Sequence, residues 1–574
     1  MKKENMKKRA LVSLALIFGS AAGLAVAPKD TFVMQINGTI ATTDPHQAYD
    51  TNVSSYFTNV YDTLVTFEGK STKIVPMLAT AWKTSSDLKT FTLTLRKGVK
   101  FHSGNDFTCV DAEYSLRRLI SSSNGLSAGF YLSGPLLGFG SWDDAAKKST
   151  TFANVSKAVR CDANGNLILE TPKQEPLLMA RLTGTHAAII DSKFAIENGE
   201  WDGTEATWKD LVGKDLSNSA MNKADAGSGA YQMVSREADQ MVFKAFPGYW
   251  GEKSKFENVV MKVVPTDASR VLAMKNGDAD FVAYDSVTSI AQLRGAPGVK
   301  ILELKSTAAT AIYFNPLMDK KSKFIGSGKL DGKGIPVNFF GDIHVRRAFA
   351  ASFNSARVLK EILQGSGELR TMALSSLLPG YDPSIKLPAF DPELAKREFK
   401  LAFKGELWKK GFAIELLTIA ETPVTRDVFA LLKQDLEKLN PKFKAILRPT
   451  PQNDLYAALG GNLVPITING TSADVPDGES LAQFSYSSTG TFSVHTHYND
   501  PITEKAFAAL AATADPVARG KQLTAIGRRG AELLLVLPLP EVNTFKIFRK
   551  EVKGVDENFN IFRYTSLFWN SLSK

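Results

Sequence analysis

Strand and helix patterns alternate along almost the whole chain, without an internal repeat or a low-complexity linker. Thr31 to Asn37 is typical of a strand, and a helix capped by Asp267 ends at Asn276-Gly277 before a short strand at Asp280 to Val282. Such alternation favours an α/β fold. At 574 residues the chain is too long for one hydrophobic core, so we predict two or more domains.

Further helices are marked by residues that typically begin them. Asp342 precedes a helix with Val345 and Phe349 on one face, and Asp391 precedes a proline at the first helical position. Another amphipathic helix is predicted from Arg426 to Leu439. We interpret these helices as parts of the scaffold.

The first 27 residues have the composition of a secretory signal peptide. Five Lys and Arg residues precede an apolar stretch from Ala10 to Ala27, which ends in Ala25-Val26-Ala27. We predict cleavage after Ala27 or Ala25 and a periplasmic or otherwise extracytoplasmic mature chain. The alternative is an uncleaved membrane anchor, for which the apolar stretch has the minimal length. No cysteine stands at the junction, so no lipid anchor is expected.

Charge and cysteine content narrow the function classes. The chain carries a net charge of +10, of which +4 belongs to residues 1–27, leaving +6 for the remainder. Lys and Arg are spread along the sequence, so nucleic-acid binding is not predicted. The two cysteines, Cys109 and Cys161, could form a disulfide in an oxidising compartment, but their spacing does not decide the matter.

The stretch from Ile74 to Arg118 carries the strongest resemblance to a known family. It contains a Pro-to-Trp segment at Pro76–Trp82, an alternating strand around Leu93, and the run Lys100-Phe101-His102-Ser103-Gly104 before a helix. This order resembles family 5 (cluster C) of the extracytoplasmic solute-binding proteins, the capture subunits of ABC importers. Similar motifs continue along the chain at Thr43–His46, Val60–Leu64, Gly227–Tyr231, Pro247–Gly251, Ser269–Asp280, Tyr313–Asn315, Val345–Ala350 and Asp391–Phe399.

The resemblance implies a two-lobed periplasmic-binding-protein-like α/β fold (type II) with an extra subdomain and a two-segment hinge. We expect crossings between the lobes near 303–307 and 536–541, each in an extended apolar run. The implied bounds are a signal peptide at 1–27, lobe I at 28–73, 187–303 and 540–574, its extra subdomain at 74–186, and lobe II at 304–539.

The function implied by the resemblance is capture without catalysis. The chain would bind di- or oligopeptides between its lobes and deliver them to the transmembrane subunits of an ABC permease. It would act as a monomer and without a cofactor. A non-peptide solute such as a nickel chelate or a sugar is the alternative ligand.

One loop carries the candidate ligand contacts. Peptide-binding members of the family pair the ligand α-ammonium with the Asp of a Gly-Trp-x-x-Asp motif, and Gly470-Thr471-Ser472-Ala473-Asp474 occupies that place here. The resemblance implies that Asp474 binds the ammonium, with Thr471 and Ala473 beside it. Thr471 replaces the family's Trp. The alternative is that Asp474 caps a turn next to Pro476.

Two further residues are candidates for the site. In dipeptide binders an Arg before the helix at 426–439 meets the ligand carboxylate, and Arg426 is the only Arg in this region of the sequence. Arg426 could instead be a helix-surface residue. His46 lies on a loop that the resemblance places near the cleft mouth, although Asp44-Pro45 also fits a structural turn.

An extracytoplasmic hydrolase is the alternative from a different class. The sequence contains no His-Glu-x-x-His or Walker A motif. His102 is the most suggestive of the six histidines, but it lies in the Phe-His-x-Gly turn of the family resemblance. His495-Thr496-His497 has no cysteine or further cluster of ligands nearby in sequence, so no metal site is predicted.

Overall fold

The computed structural model describes residues 28–38, 40–48, 54–124, 127, 129–139, 144–284, 286–420, 422–488, 496–563 and 566–574. The predicted signal peptide at 1–27 and His495 lie outside these residues. No helix in the described part of the chain combines the length and apolar character that a membrane crossing requires.

The strands and helices of the described residues alternate along the chain, as the sequence predicts. The strands are β1 (Thr31–Ile36), β2 (Val65–Phe67), β3 (Ile74–Pro76), β4 (Ala79–Thr84), β5 (Thr90–Leu95), β6 (Val159–Cys161), β7 (Leu167–Glu170), β8 (Tyr231–Arg236), β9 (Gln240–Ala245), β10 (Asn258–Val263), β11 (Phe281–Val282), β12 (Val299–Leu304), β13 (Ala309–Phe314), β14 (Phe412–Ile419), β15 (Phe443–Thr450), β16 (Ile466–Thr471), β17 (Val536–Pro538) and β18 (Thr544–Arg549). The helices are α1 (Ser54–Val60), α2 (Cys109–Ser122), α3 (Phe130–Leu137), α4 (Asp144–Ser149), α5 (Phe152–Ala158), α6 (Leu178–Arg181), α7 (Ser192–Glu197), α8 (Glu205–Trp208), α9 (Asp267–Asn276), α10 (Val287–Leu293), α11 (Ile343–Ser352), α12 (Ser355–Arg357), α13 (Pro392–Leu401), α14 (Glu406–Lys410), α15 (Pro423–Leu439), α16 (Gln452–Gly460), α17 (Glu479–Tyr486), α18 (Pro501–Ala511), α19 (Pro516–Leu533) and α20 (Val555–Asn558).

Two large sheets divide the molecule into two lobes. Lobe I is built on a seven-stranded sheet in the order β12-β18-β11-β1-β10-β9-β8, and lobe II on a five-stranded sheet in the order β15-β14-β16-β13-β17. Strand β1 is central in lobe I and pairs in parallel with both β10 and β11. Its buried Phe32 and Met34 contribute to the core of this lobe.

A smaller sheet marks the region of the predicted subdomain. Strands β4, β5, β7 and β6 form a four-stranded antiparallel sheet beside α2. Cys109 at the start of α2 and Cys161 in β6 form a disulfide, with their Cα atoms 6.0 Å apart. The bond answers the question that the spacing of the cysteines leaves open, and it fixes α2 to the edge of this sheet.

Helix starts show which local predictions are right. Asp342 and Asp391 cap α11 and α13, since their carboxylates accept hydrogen bonds from backbone N–H groups in the first turn. The prediction for Asp267 is wrong by one residue, because the hydroxyl of Thr266 caps α9 and Asp267 begins the helix. Helix α15 begins at Pro423, three residues before the predicted start, because proline is suited to the first helical position.

Candidate functional site

The two lobes are joined by two neighbouring chain segments. The chain leaves β12 of lobe I at Leu304 and enters β13 of lobe II at Ala309, and it returns between Pro538 of β17 and Thr544 of β18. We call residues 305–308 and 539–543 the first and second crossing. Because β13 lies beside β17, and β12 beside β18, the crossings run next to each other. Two adjacent connections permit the lobes to move as rigid bodies about a hinge.

Arg370 holds the two crossings together. Its guanidinium donates hydrogen bonds to the carbonyl oxygens of Ala308 (2.9 Å), Thr310 (3.0 Å) and Leu539 (3.0 Å). Burial lowers the pKa of Arg370 from its ordinary value, and Glu541 opposes this shift. A buried cation is therefore satisfied mainly by backbone carbonyls from both crossings, which fixes the geometry of the hinge.

The loop after β16 lies where the lobes meet. In this loop, Ser472 lines a cavity of about 200 Å³ and Val475 a cavity of about 660 Å³. Gly470, near the end of β16, lines a cavity of about 320 Å³. Asp474 lies in this loop and is only 8% exposed. Gly470 is required by the close approach of β13, since a Cβ atom there would lie 2.6 Å from the Ala309 carbonyl oxygen.

The rest of the predicted loop is packed into the contact between the lobes. Ala473 is buried, and its carbonyl oxygen accepts a hydrogen bond from Thr307 of the first crossing at 3.4 Å. Thr471 is the last residue of β16 and pairs with Ala309 of β13. The apolar cluster around Ala473 also contains Phe67 and Phe562 from the lobe I side. The structure therefore brings Thr471, Ala473 and Asp474 to the junction of the two lobes.

Arg519 fixes the segment that follows Asp474. Its buried guanidinium contacts both carboxylate oxygens of Asp477, at 2.8 and 3.1 Å, and Glu479 at 2.6 Å. It also donates to the carbonyl oxygens of Leu510 and Thr513. Bidentate pairing of this kind sets the direction of a loop as well as its stability. Arg519 was not predicted from the sequence, because it lies 40 and 42 residues from its carboxylate partners.

The largest of the three cavities is lined by both halves of the molecule. Tyr131, Pro172 and Arg181 contribute from the region of the subdomain, and Glu479 and Arg519 from lobe II. Its volume of about 660 Å³ lies within the range of small-molecule sites. The cavity of about 320 Å³ lies within lobe II and beside the second crossing. Its apolar lining residues include Val358, Leu363, Ile419, Val424, Val428 and Leu539.

Arg426 lies on the surface of α15. Its side chain is half exposed and contacts the neighbouring Asp427 at 3.0 Å. Val424 and Thr425, the two preceding residues, line the apolar cavity of lobe II, whereas Arg426 is not part of that lining. A ligand contact of Arg426 stays a prediction, and the ion pair with Asp427 agrees with the helix-surface alternative.

His46 belongs to a buried polar network of lobe I. Its Nε2 lies 3.0 Å from the carbonyl oxygen of Ala188, and its Nδ1 lies 3.0 Å from the Arg118 guanidinium. Arg118 in turn pairs with Asp44 at 2.6 Å and with Glu200 at 2.7 Å. Since His46 is fully buried and both ring nitrogens have partners, these contacts agree with the structural-turn alternative. A ligand role for His46 stays a prediction.

His186 is a second buried histidine of lobe I. Its ring stacks on Tyr131, and its Nε2 has no hydrogen-bond partner among the described residues. Burial, with a smaller contribution from Arg181, lowers the pKa of His186 to about 4. An unfolded histidine titrates near 6.5, so between about pH 6.5 and 4 the unfolded state binds the additional proton. This histidine therefore lowers stability as the pH falls through that range.

Replacement of His186 by Phe should remove this acid sensitivity, because Phe keeps the stacked ring and cannot be protonated. Between pH 7 and pH 4, the free energy of unfolding of His186→Phe should rise by about 3 kcal/mol relative to the unmodified chain. Urea unfolding across this pH range measures the difference. If the free energies of unfolding of the two proteins change with pH in parallel, the pKa of His186 is not lowered in the folded state and the prediction is wrong.

The two ring nitrogens of His102 are held by structural contacts. Its Nδ1 contacts the carboxylate of Asp225, and its Nε2 lies 2.9 Å from the carbonyl oxygen of Gly229. Burial acts to lower the pKa of His102, but Asp225 outweighs it and the pKa is raised. Both ring nitrogens thus face acceptors, and among the described residues neither contacts a serine or cysteine. In the described part of the chain, no group of three or more His, Cys, Asp or Glu side chains is placed to hold a metal ion.

The fold is that of a two-lobed binding protein. It has two α/β lobes, two adjacent crossings and cavities at the junction of the lobes. The chain belongs to the bacterial extracellular solute-binding proteins, family 5, whose middle-region model matches residues 73–493. The members of this family are extracytoplasmic solute-binding proteins. The two-lobed architecture expected from the family resemblance is confirmed.

The relatives of this chain are named after different ligands. The dipeptide-binding protein of Escherichia coli K12 is 23% identical over 67% of this chain and 66% of its own length. Heme-binding protein A of Haemophilus influenzae is 23% identical over 67% of this chain and 63% of its own. The chain thus spans slightly less than two thirds of these relatives.

A solved structure extends the likeness in fold to almost the whole chain. A periplasmic binding protein of Helicobacter pylori, in complex with the peptide STSA, superposes with a TM-score of 0.73 at 19% identity. The superposition covers 95% of this chain and 98% of that protein.

Proposed function

We propose that this chain is the extracytoplasmic solute-binding subunit of an ABC importer and captures short peptides between its lobes. The observation that carries the proposal is the position of Asp474: a buried carboxylate in the loop after β16, in which Ser472 and Val475 line two cavities where the lobes meet. The peptide named in the Helicobacter pylori complex and the name of the Escherichia coli relative support this ligand class.

The chemistry of Asp474 suits the amino terminus of a peptide. A carboxylate held away from water pairs favourably with a positively charged group, and a peptide α-ammonium supplies charge and donors together. The adjacent cavities of about 320 and 660 Å³ provide separate space for side chains. Asp474 would therefore fix one end of the ligand, while the cavities determine which residues follow.

Capture then couples to transport through the hinge. A peptide that contacts both lobes binds the closed arrangement more tightly than the open one, so it shifts the population toward closure. The closed monomer would dock on the transmembrane subunits of the permease and release the peptide there. Residues 1–27 would direct export of the chain to the extracytoplasmic side.

A thermal-shift panel on the refolded chain tests peptide capture against other solutes. The probes are di- to pentapeptides, their N-acetylated forms, a nickel–histidine chelate, heme and sugars. Refolding from denaturant first removes solute carried over from expression. At a hundredfold excess over Kd, a ligand stabilises the folded state by about 2.7 kcal/mol, which raises the unfolding midpoint.

The proposal predicts a higher midpoint with peptides that have an unmodified amino terminus and no change with the acetylated forms. A rise with heme, the nickel chelate or a sugar alone would replace the peptide by that solute class. Equal rises with unmodified and acetylated peptides would retain peptide capture but remove the ammonium contact.

A further inference from the structure

Lys546 occupies a position in a strand that is buried on both faces. It lies in β18, in which Phe545 and Ile547 face the core shared with α9 and α10. Lys546 and Phe548 point to the opposite face, where Phe548 packs into the main core of lobe I. Lys546 is only 4% exposed. Lysine is almost never this deeply buried without a partner.

No such partner is present among the described residues. No carboxylate lies within 4.0 Å of the Lys546 amine, and its nearest aromatic contact is Phe559, whose ring centroid lies 5.9 Å away. Burial alone lowers the pKa of Lys546 to about 7. By contrast, Lys300 on the neighbouring strand pairs with Asp556, and Lys574 pairs with Asp280 at 2.9 Å.

The amine borders the cavity of about 200 Å³ at the hinge. The described residues that line this cavity are Leu304, Lys305, Ser306, Thr307, Ser472, Thr544, Lys546, Phe559, Asn560 and Ile561. They include two lysines, five residues with polar uncharged side chains and no acid. Lys305 already pairs with Glu368 at 2.9 Å, at an exposed position. The cavity therefore combines a buried cation with hydroxyl and amide groups, which suits an anion of small size.

The cavity also spans the hinge. Lys546, Phe559 and Asn560 come from lobe I, residues 305–307 from the first crossing, and Ser472 from lobe II. Ser472 stands two positions before Asp474 in the loop proposed to hold the peptide ammonium. A group bound over Lys546 would thus touch both lobes and lie beside the proposed ammonium site.

We propose that the cavity over Lys546 is a carboxylate subsite, which receives a carboxylate of the captured solute and pairs it with the Lys546 ammonium. This inference rests on the proposed function, because it assigns the second charged group of the same ligand. The solute class is then a short zwitterionic peptide, with its ammonium at Asp474 and a carboxylate at Lys546. Binding there contacts lobe I and lobe II together and stabilises the closed arrangement.

The subsite is tested by comparing the binding of peptides that end in a carboxylate with the binding of the same peptides ending in a carboxamide. The variant Lys546→Met keeps the length of the side chain and fits the apolar surroundings, and Lys546→Arg keeps the charge. The matched control is Lys244→Met, the same substitution at an exposed position of the same sheet. Calorimetry should show that the unmodified chain prefers the free acid of a peptide over its amide by about ten- to a hundredfold.

Lys546→Met should lose this preference, while Lys546→Arg and Lys244→Met retain it. If Lys546→Met still prefers the acid as strongly as the unmodified chain, the subsite is overturned while peptide capture stands. If no peptide binds the unmodified chain, the proposed function fails. The carboxylate subsite is then tested with acetate, by measuring how far it stabilises the chain. Stabilisation by acetate over chloride at equal ionic strength, absent in Lys546→Met, would support it. Equal effects of acetate on both proteins would overturn it.

Discussion

Replacing Asp474 by Asn should weaken the binding of a short peptide by about a hundredfold or more. Asn has nearly the same size and retains hydrogen-bonding groups, so the substitution removes the charge and little else. The peptide ammonium would then enter the site without a counter-charge, and loss of one member of a buried charged pair costs about 2–5 kcal/mol. Isothermal titration calorimetry on refolded protein measures the change in Kd.

Asp427→Asn is the matched control for this substitution. Asp427 is half exposed on α15. Among the described residues, its ion-pair partner is Arg426. Its substitution should leave the Kd within about twofold, because exposed ion pairs contribute little. An unchanged Kd for Asp474→Asn would exclude Asp474 as the ammonium site and favour its alternative role as a turn residue next to Pro476.

Replacing Arg118 by Met should lower the free energy of unfolding by about 3–5 kcal/mol. Arg118 is fully buried and contacts the equally buried Asp44 and the nearly buried Glu200. Burial acts to raise the pKa of Asp44, but Arg118 outweighs it and the pKa is lowered, so the carboxylate is charged at neutral pH. Removing the cation leaves this charge buried without compensation, which is the costly case for an internal ion pair.

Urea unfolding at pH 7 measures the loss, and Arg160→Met is the control. Arg160 is 40% exposed and pairs with Glu170 at 2.7 Å, so its removal should cost about 1 kcal/mol or less. The double variant Arg118→Met with Asp44→Asn should recover part of the loss. A loss for Arg118→Met no larger than that of the control would contradict the account of this network.

Features set by neighbouring residues were predictable from the sequence. The caps at Asp342 and Asp391 and the glycine end of α9 depend on contacts within a few residues, so the local pattern contains them. The crossings implied by the family resemblance, at 303–307 and 536–541, overlap the segments 305–308 and 539–543 that connect the two sheets, while the lobe bounds stay a prediction. The apolar run expected to be extended at the second crossing begins at Leu533 in the sequence, but Leu533 is the last residue of α19 and not part of a strand.

Contacts between distant parts of the chain were not predictable. Arg370 meets carbonyl oxygens up to 169 residues away, and Arg519 meets carboxylates about 40 residues earlier. A lone arginine gives no signal for such a partner. Lys546 leaves no trace either, because a lysine between Phe545 and Ile547 fits a strand with one exposed face, and only the structure shows that it is buried and borders a cavity. The disulfide was undecided because a spacing of 52 residues does not define a distance.

Native mass spectrometry tests the central claim most directly. The refolded chain is mixed with equimolar amounts of short peptides and their N-acetylated counterparts, and the masses of the complexes are read without separating the components. The account predicts one-to-one complexes with the unmodified peptides only, and their loss in Asp474→Asn. No peptide complex, or equal uptake of acetylated peptides, would contradict capture of a peptide through its ammonium group.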